Sequence, residues 1–163
     1  MIPGTFFISG IDTDIGKTMA TGHIAKTAAA QGLRVITHKP IQTGNVGVSE
    51  DIAKHRAIMG CDLLPVDEQK LTMPQLFPYP CSPHLASRLA ERAINFAAIE
   101  NSIAQLQQQF DTVFVRLAPL VDLRAGQQGV GLALAGVLDG AAPGDPGAHR
   151  RRAFACRCAL QIG

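Results

Sequence analysis

Apolar runs and amphipathic stretches alternate regularly over the first two thirds of the chain. The apolar run 5–9 leads into a glycine and is typical of a buried strand, and residues 19–30 predict a helix that stops at Gly32. Residues 33–38 predict a second strand. A strand, helix and strand in this order imply a parallel sheet with a right-handed connection.

The same alternation continues to Val115. Ser49 is a candidate N-cap for a helix through about Met59, because two acidic residues follow it in the first turn. The remainder divides into a proline-punctuated connection, two helices and a third strand, at 63–83, 84–93, 96–109 and 111–115.

Composition indicates a globular protein of about one domain. The chain has 163 residues, of which 47% are hydrophobic and 17% charged, so a disordered chain is excluded. A net charge of +2 gives no reason to expect nucleic acid or a membrane surface as a partner. No apolar run approaches the roughly 18 residues of a membrane span. Four cysteines make no disulfide framework, and a reducing cytoplasm is the expected location.

The segment 10–18, Gly-Ile-Asp-Thr-Asp-Ile-Gly-Lys-Thr, has the parts of a phosphate-binding loop between a strand and a helix. Its glycines let backbone N–H groups face one anion, and the helix N-terminus adds a favourable dipole. Lys17 is placed to reach the outer phosphates of ATP, and Thr18 to ligate Mg²⁺. Five residues separate Gly10 from Gly16, where the common pattern has four. The alternative is a simple glycine turn between strand and helix.

The character of the sequence changes after Val115. Residues 116–163 contain no Lys, Glu, Ser, Thr, Asn, Met or Tyr, and the cluster 140–147 is turn-like. We therefore divide the chain into a nucleotide-binding α/β segment at 1–115 and an atypical tail at 116–163. A frame disruption near codon 116 of a GC-rich gene explains this bias, and a genuine low-complexity extension is the alternative.

Three motifs carry a resemblance to a known family. They are the loop at 10–18, His-Lys-Pro-Ile-Gln-Thr-Gly at 38–44 and Cys-Ser-Pro-His-Leu-Ala at 81–86. Through them, residues 4–115 resemble the dethiobiotin synthetases, including the extra residue of that family's loop. The resemblance covers two thirds of this chain and about the N-terminal half of the family's domain.

The resemblance implies an α/β fold with a P-loop NTPase-like parallel sheet flanked by helices, incomplete here after strand three. It also implies a ligase of biotin biosynthesis that converts 7,8-diaminononanoate, CO₂ and MgATP to dethiobiotin, ADP and phosphate. An amine forms a carbamate, ATP phosphorylates the carbamate, and the second amine displaces phosphate. The expected assembly is a homodimer if the full domain is present.

The resemblance also assigns roles to individual residues. Lys17 and Lys39 are the expected catalytic residues, and the first would clamp phosphate while the second contacts the carbamate and γ-phosphate. The ATP-binding residues are expected at Asp14, Ile15, Gly16, Lys17 and Thr18, the substrate-binding residues at Thr13, Lys39 and Thr43, and the Mg²⁺ ligands at Thr18 and Asp51.

Some of these residues also have simpler interpretations. Lys39 would then be a surface lysine before a proline, Thr43 would form a turn with Gly44, and Asp51 would only stabilise a helix N-terminus.

One position departs from the family pattern. The family has Glu-Gly-Ala-Gly-Gly at the end of strand three, and its glutamate is a second Mg²⁺ ligand. Here Arg116 follows Val115. A guanidinium cannot ligate Mg²⁺, and its fixed positive charge opposes the metal. We therefore predict low or absent ligase activity.

Other functions remain open at this stage. A glutamine-dependent cobyrinate-type amide synthetase has a similar loop, but the chain shows no amidotransferase half. A nucleotide-switched partitioning or positioning ATPase would carry a lysine early in the loop, where Ile11 and Asp12 stand. A non-functional fragment is the non-enzymatic alternative.

Overall fold

The computed structural model describes residues 3–10, 15–117 and the backbone of 160–162. Within these residues the helices and strands follow one another in a regular α/β order. They are β1 (Gly4–Gly10), α1 (Lys17–Ala30), β2 (Val35–His38), β3 (Ile41–Thr43), α2 (Glu50–Met59), α3 (Pro65–Glu68), β4 (Gln75–Phe77), α4 (Pro83–Leu89), α5 (Phe96–Gln109), β5 (Thr112–Arg116) and β6 (Leu160–Ile162).

The main sheet is parallel throughout its described part. Its strand order is β2-β5-β1-β6. The third strand expected from the sequence, β5, therefore lies between the first two, and the connection through α1 crosses over it. This confirms the predicted parallel sheet flanked by helices, and it brings the carboxyl ends of β1, β2 and β5 to one edge.

Helices cover both faces of this sheet. On one face, Ala25 and Ala28 of α1 pack in a buried cluster with Ile8, Val35 and Phe114. The other face carries a second cluster, formed with α5 and α3: Ile36, Val66, Ile99, Ile103, Leu106, Val113 and Val115. Because successive residues of β5 enter opposite clusters, its sequence is a continuous apolar run rather than an alternating one.

The ends and contacts of the first two helices follow from particular residues. Gly32 has φ +87° just after α1, which confirms it as the predicted C-terminal glycine. Ser49 caps α2 by accepting a hydrogen bond from the N–H of Ile52 at 3.3 Å. At Gly22 a Cβ atom would lie 2.7 Å from Cδ1 of Ile58, so the glycine permits the close packing of α1 against α2.

A second, two-stranded sheet was not predicted. Strands β3 and β4 pair in parallel beside the main sheet, and helix α3 begins at Pro65. The interpretation of 63–83 as a mere connection is therefore wrong. Both strands have only three residues, which is too short for hydrophobic periodicity to distinguish them from a loop.

A buried ion pair joins α2 to α3. Arg56 and Asp67 have side chains that are 2% and 0% exposed, and two parallel hydrogen bonds of 2.8 Å connect them. Arg56 also donates to Thr37 Oγ1, and Asp67 accepts from Thr72 Oγ1. Burial alone would raise the pKa of Asp67, but these hydrogen bonds outweigh burial and hold the pKa below its ordinary value.

The tail contributes one described element. Strand β6 pairs in parallel with β1 from Ile8 to Gly10. This pairing gives the main sheet a fourth strand, which covers the edge of β1 along these residues. The frame-disruption hypothesis falls on residues 118–159, which lie outside the described part of the chain. Among the described residues, no helix is both long and apolar enough to cross a membrane.

We predict that Asp67→Asn lowers the free energy of unfolding by about 3–5 kcal/mol, because it leaves the Arg56 guanidinium buried without its counter-charge. Urea denaturation at neutral pH measures the loss. Asp111→Asn is the matched control, since Asp111 pairs with the largely exposed Arg34 at the opposite end of the sheet. Equal losses for the two variants would contradict the importance of the buried pair.

Candidate active site

The candidate site lies at the carboxyl edge of the main sheet. The chain leaves β1 toward the loop that precedes α1, leaves β2 at Lys39, and reaches the end of β5 at Arg116. In the sheet register His38 lies opposite Val115, so Lys39 and Arg116 follow on neighbouring strands. This edge is where open parallel sheets bind their ligands.

The described end of the glycine loop has the backbone of an anion-binding turn. Gly16 is exposed and has φ +85°, a left-handed conformation that a side chain disfavours. Helix α1 begins directly after it. The Lys17 side chain is 2% exposed, whereas Thr18 is half-buried. The glycine therefore starts the helix, and the N-terminus of a helix offers backbone N–H groups to an anion.

The Asp51 carboxylate contacts three polar side chains at this edge. Its Oδ1 accepts a hydrogen bond of 2.5 Å from the Thr18 hydroxyl. Its Oδ2 lies 3.0 Å from Lys39 Nζ and 2.9 Å from Arg116 Nη1. The side chains of Lys39, Asp51 and Arg116 are 5%, 14% and 14% exposed. We call Thr18, Lys39, Asp51 and Arg116 the Asp51 cluster.

The Asp51 cluster is positively charged. One carboxylate faces two cations, and Lys17, next to Thr18, adds a third positive charge at the start of α1. Low exposure limits screening by solvent, so these charges act more strongly than they would on the surface. Among these described side chains the cations outnumber the one carboxylate, which is compatible with an anionic ligand.

His55 lies one helical turn beyond Asp51 on α2 and is fully buried. Burial lowers the pKa of His55 to about 4, although the nearby Asp51 carboxylate acts in the opposite direction. At neutral pH the imidazole is therefore uncharged and adds no further positive charge to the cluster. The spacing of four residues from Asp51 along a predicted helix is the sequence signal for this neighbour.

The structure brings together part of the predicted site. Thr18, Lys39 and Asp51 contact one another at one edge, and Ile15, Gly16 and Lys17 precede Thr18 at the start of α1. Thr43 instead belongs to β3 in the second sheet, where it pairs with Phe77. Thr13 and Asp14 lie outside the described residues. Arg116 was predicted only to oppose a metal, and its direct contact with Asp51 was not foreseen.

The comparisons with known proteins agree with this geometry. A family of proteins described as AAA domain matches residues 4–128. The chain belongs to this AAA domain family. The match extends beyond Val115 into the first residues of the tail, and it includes the whole of the described site.

Curated relatives carry a more specific name. The chain is 52% identical over 110 residues to ATP-dependent dethiobiotin synthetase BioD 2 of Pasteurella multocida, a match covering 68% of this chain and 52% of the relative. It is 51% identical over 108 residues to ATP-dependent dethiobiotin synthetase BioD of Chlorobaculum tepidum, covering 66% and 45%. These matches confirm the resemblance inferred from the motifs. The chain spans about half the length of the curated relatives it matches.

His38, the residue before Lys39, is buried, and its burial should make the stability of the fold depend on pH. It is 0% exposed, its Nε2 lies 2.9 Å from Ser102 Oγ, and burial lowers its pKa to about 3. The unfolded chain therefore binds a proton on His38 below pH 6.5, while the folded chain does not. Stability is consequently lost as the pH falls through this range.

We predict that His38→Gln, which can keep a hydrogen bond to Ser102, loses about 2 kcal/mol less unfolding free energy between pH 7 and pH 5 than the unchanged protein does. Urea denaturation across this range measures the slope. His23→Gln, on the exposed side of α1, controls for loss of a surface imidazole. An unchanged slope in His38→Gln would show that the folded protein tolerates the charged imidazole.

Proposed function

We propose that the described part of the chain binds the phosphates of ATP at the carboxyl edge of its sheet, as the phosphate-binding half of a dethiobiotin synthetase-type site. The observation that supports this most strongly is the placement of the buried Lys17 directly after a left-handed glycine at the start of α1, while Lys39 contacts Asp51 at the same sheet edge. Burying an ammonium group is costly, and an anionic ligand at this edge would offset part of that cost.

The proposed roles follow from the positions of the groups. Backbone N–H groups at the start of α1 and the Lys17 ammonium would hold the outer phosphates. Lys39 would stabilise the carbamate anion and the charge that develops on the transferred phosphoryl group. Thr43, Thr13 and Asp14 remain proposed members of the site on the resemblance alone.

The proposed substrates are 7,8-diaminononanoate, CO₂ and ATP. One amine adds to CO₂ and loses a proton to give a carbamate, whose oxygen takes the γ-phosphoryl group as the bond to ADP breaks. The second amine then attacks the carbonyl carbon, loses a proton and expels phosphate, which closes the ureido ring. A homodimer in the cytoplasm is part of the same proposal.

Magnesium belongs to the reaction that the resemblance implies, with Thr18 and Asp51 as its proposed ligands. Both Asp51 oxygens, however, already accept contacts from Thr18, Lys39 and Arg116. A divalent cation placed there would face two fixed positive charges. The donor set in this arrangement therefore does not fit Mg²⁺. Arg116 and Lys39 would have to move away from Asp51 before the metal could bind.

We predict that Lys17→Met weakens ATP binding by roughly tenfold or more, because it removes a charge-assisted contact while keeping the volume of the buried stem. Calorimetric titration with ATP measures the dissociation constant. Lys26→Met, on the exposed side of the same helix, is the matched control. Equal affinities for the two variants would contradict the assignment of Lys17 to the phosphates.

For turnover, we predict that release of phosphate from ATP stays near background whether or not 7,8-diaminononanoate and bicarbonate are present. The reason is the replacement of an acidic group by Arg116 at the end of β5. Rapid, diamine-dependent release would overturn the prediction of low activity and support a working ligase. Release that ignores the diamine would favour a nucleotide-switched ATPase instead.

A further inference from the structure

We propose that a buried chain of hydrogen bonds, running from Arg56 through Asp67 to Thr72, positions Lys39 for its contact with the γ-phosphate of ATP. The inference rests on the proposed function, in which Lys39 acts on the γ-phosphoryl group. It deepens that function by naming positioning residues, which act through Lys39 rather than on the ligand itself.

The first step is that Thr72 orients the backbone of Lys39. Pairing between β2 and β5 ends where His38 lies opposite Val115. The next N–H along the chain, that of Lys39, donates to the Thr72 carbonyl at 2.8 Å. Pro40 follows and has no N–H to donate. The backbone at Lys39 is therefore held by Thr72 rather than by continued pairing within the main sheet.

The second step is that the buried ion pair holds Thr72. The Thr72 hydroxyl donates to Asp67 Oδ1 at 2.5 Å, and two parallel hydrogen bonds of 2.8 Å join Asp67 to Arg56. All three residues are at most 2% exposed. Hydrogen bonds at such burial are strengthened by the low local dielectric, so they fix the position of Thr72 closely.

The third step is that helix α2 holds Lys39 at both ends. Arg56 lies on this helix and also donates to Thr37 Oγ1 at 2.9 Å, two residues before Lys39. Asp51 lies on the same helix, and its Oδ2 is 3.0 Å from Lys39 Nζ. The ammonium is thus held through Asp51 and the backbone through the chain of hydrogen bonds. A lysine fixed in this way loses less conformational entropy when it binds an anion.

The test compares the affinity of the whole chain for ATP and for ADP by calorimetric titration, because ADP lacks the phosphate that Lys39 is proposed to contact. The unchanged protein should bind ATP roughly tenfold more tightly than ADP, the value of one charge-assisted contact. Lys39→Met should abolish this preference. Thr72→Val keeps the shape of the buried side chain but removes the hydroxyl, and it should reduce the preference to roughly threefold or less. Thr72→Ser keeps the hydroxyl and should restore the preference.

Thr112→Val is the matched control for removing a buried threonine hydroxyl. Thr112 is 0% exposed, but it lies at the amino end of β5, and within the described part of the chain its hydroxyl has no hydrogen-bond partner. Its preference for ATP should equal that of the unchanged protein. Circular dichroism checks the folding of each variant. If Thr72→Val does not fold, Thr37→Val takes its place, because it removes the acceptor through which Arg56 contacts β2.

The preference for ATP separates positioning from a purely structural role. A loss of stability alone lowers the folded fraction and weakens the binding of ATP and ADP equally, so the ratio of the two dissociation constants would not change. A preference that falls in Thr72→Val and recovers in Thr72→Ser supports the inference. A fall that Thr72→Ser does not reverse would overturn it.

The outcomes also separate this inference from the proposed function. If Thr72→Val keeps the tenfold preference while Lys39→Met loses it, the positioning role is overturned and the contact of Lys39 with the γ-phosphate stands. If the unchanged protein shows no preference, or if Lys39→Met keeps it, the assignment of Lys39 fails and the inference fails with it. If the folded chain binds no ATP, both proposals fail.

Discussion

The carboxylate of Asp51 holds the carboxyl edge of the sheet together. It accepts the Thr18 hydroxyl, the Lys39 ammonium and the Arg116 guanidinium, which come from three different parts of the fold. A parallel sheet brings its strand ends and the following residues to one edge, and here that edge concentrates positive charge. Without one acid in their midst, nearly buried cations at this spacing would repel one another and destabilise the folded chain.

The position of Asp51 in turn depends on the N-terminus of α2. Ser49 caps that helix and donates to Gln42 Oε1 of β3 at 2.8 Å. The first turn also places Asp51 near the positive end of the helix dipole, where a carboxylate is favoured. The simpler interpretation of Asp51 as a helix-stabilising residue and its contact with the cations are therefore compatible. The second, small sheet therefore helps to fix the start of α2, because Gln42 of β3 accepts this hydrogen bond from Ser49.

The sequence predicted the elements whose patterns were long. Helix α1, the Ser49 cap, and strands β1, β2 and β5 all have buried runs or turn residues that identify them locally. Strands β3 and β4 were not predicted, because three residues are too few to show periodicity and because the pairing of the two strands is a long-range contact. For the site, the loop motif predicted Lys17 and Thr18. The contact between Arg116 and Asp51 depends on strand order, which places β5 between β1 and β2 and which no local pattern contains.

Binding of phosphate and transfer of phosphate place different demands on this edge. Under the proposed function, binding needs fixed positive charge and backbone N–H groups, which the start of α1 and Lys39 would supply. Transfer further needs the acceptor oxygen in line with the γ-phosphorus and charge stabilisation that strengthens in the transition state. Arg116 carries positive charge where the resemblance to the dethiobiotin synthetases implies an acidic group. A cation fixed by the sheet would stabilise a bound triphosphate and the transition state to similar extents, so it would favour affinity over rate.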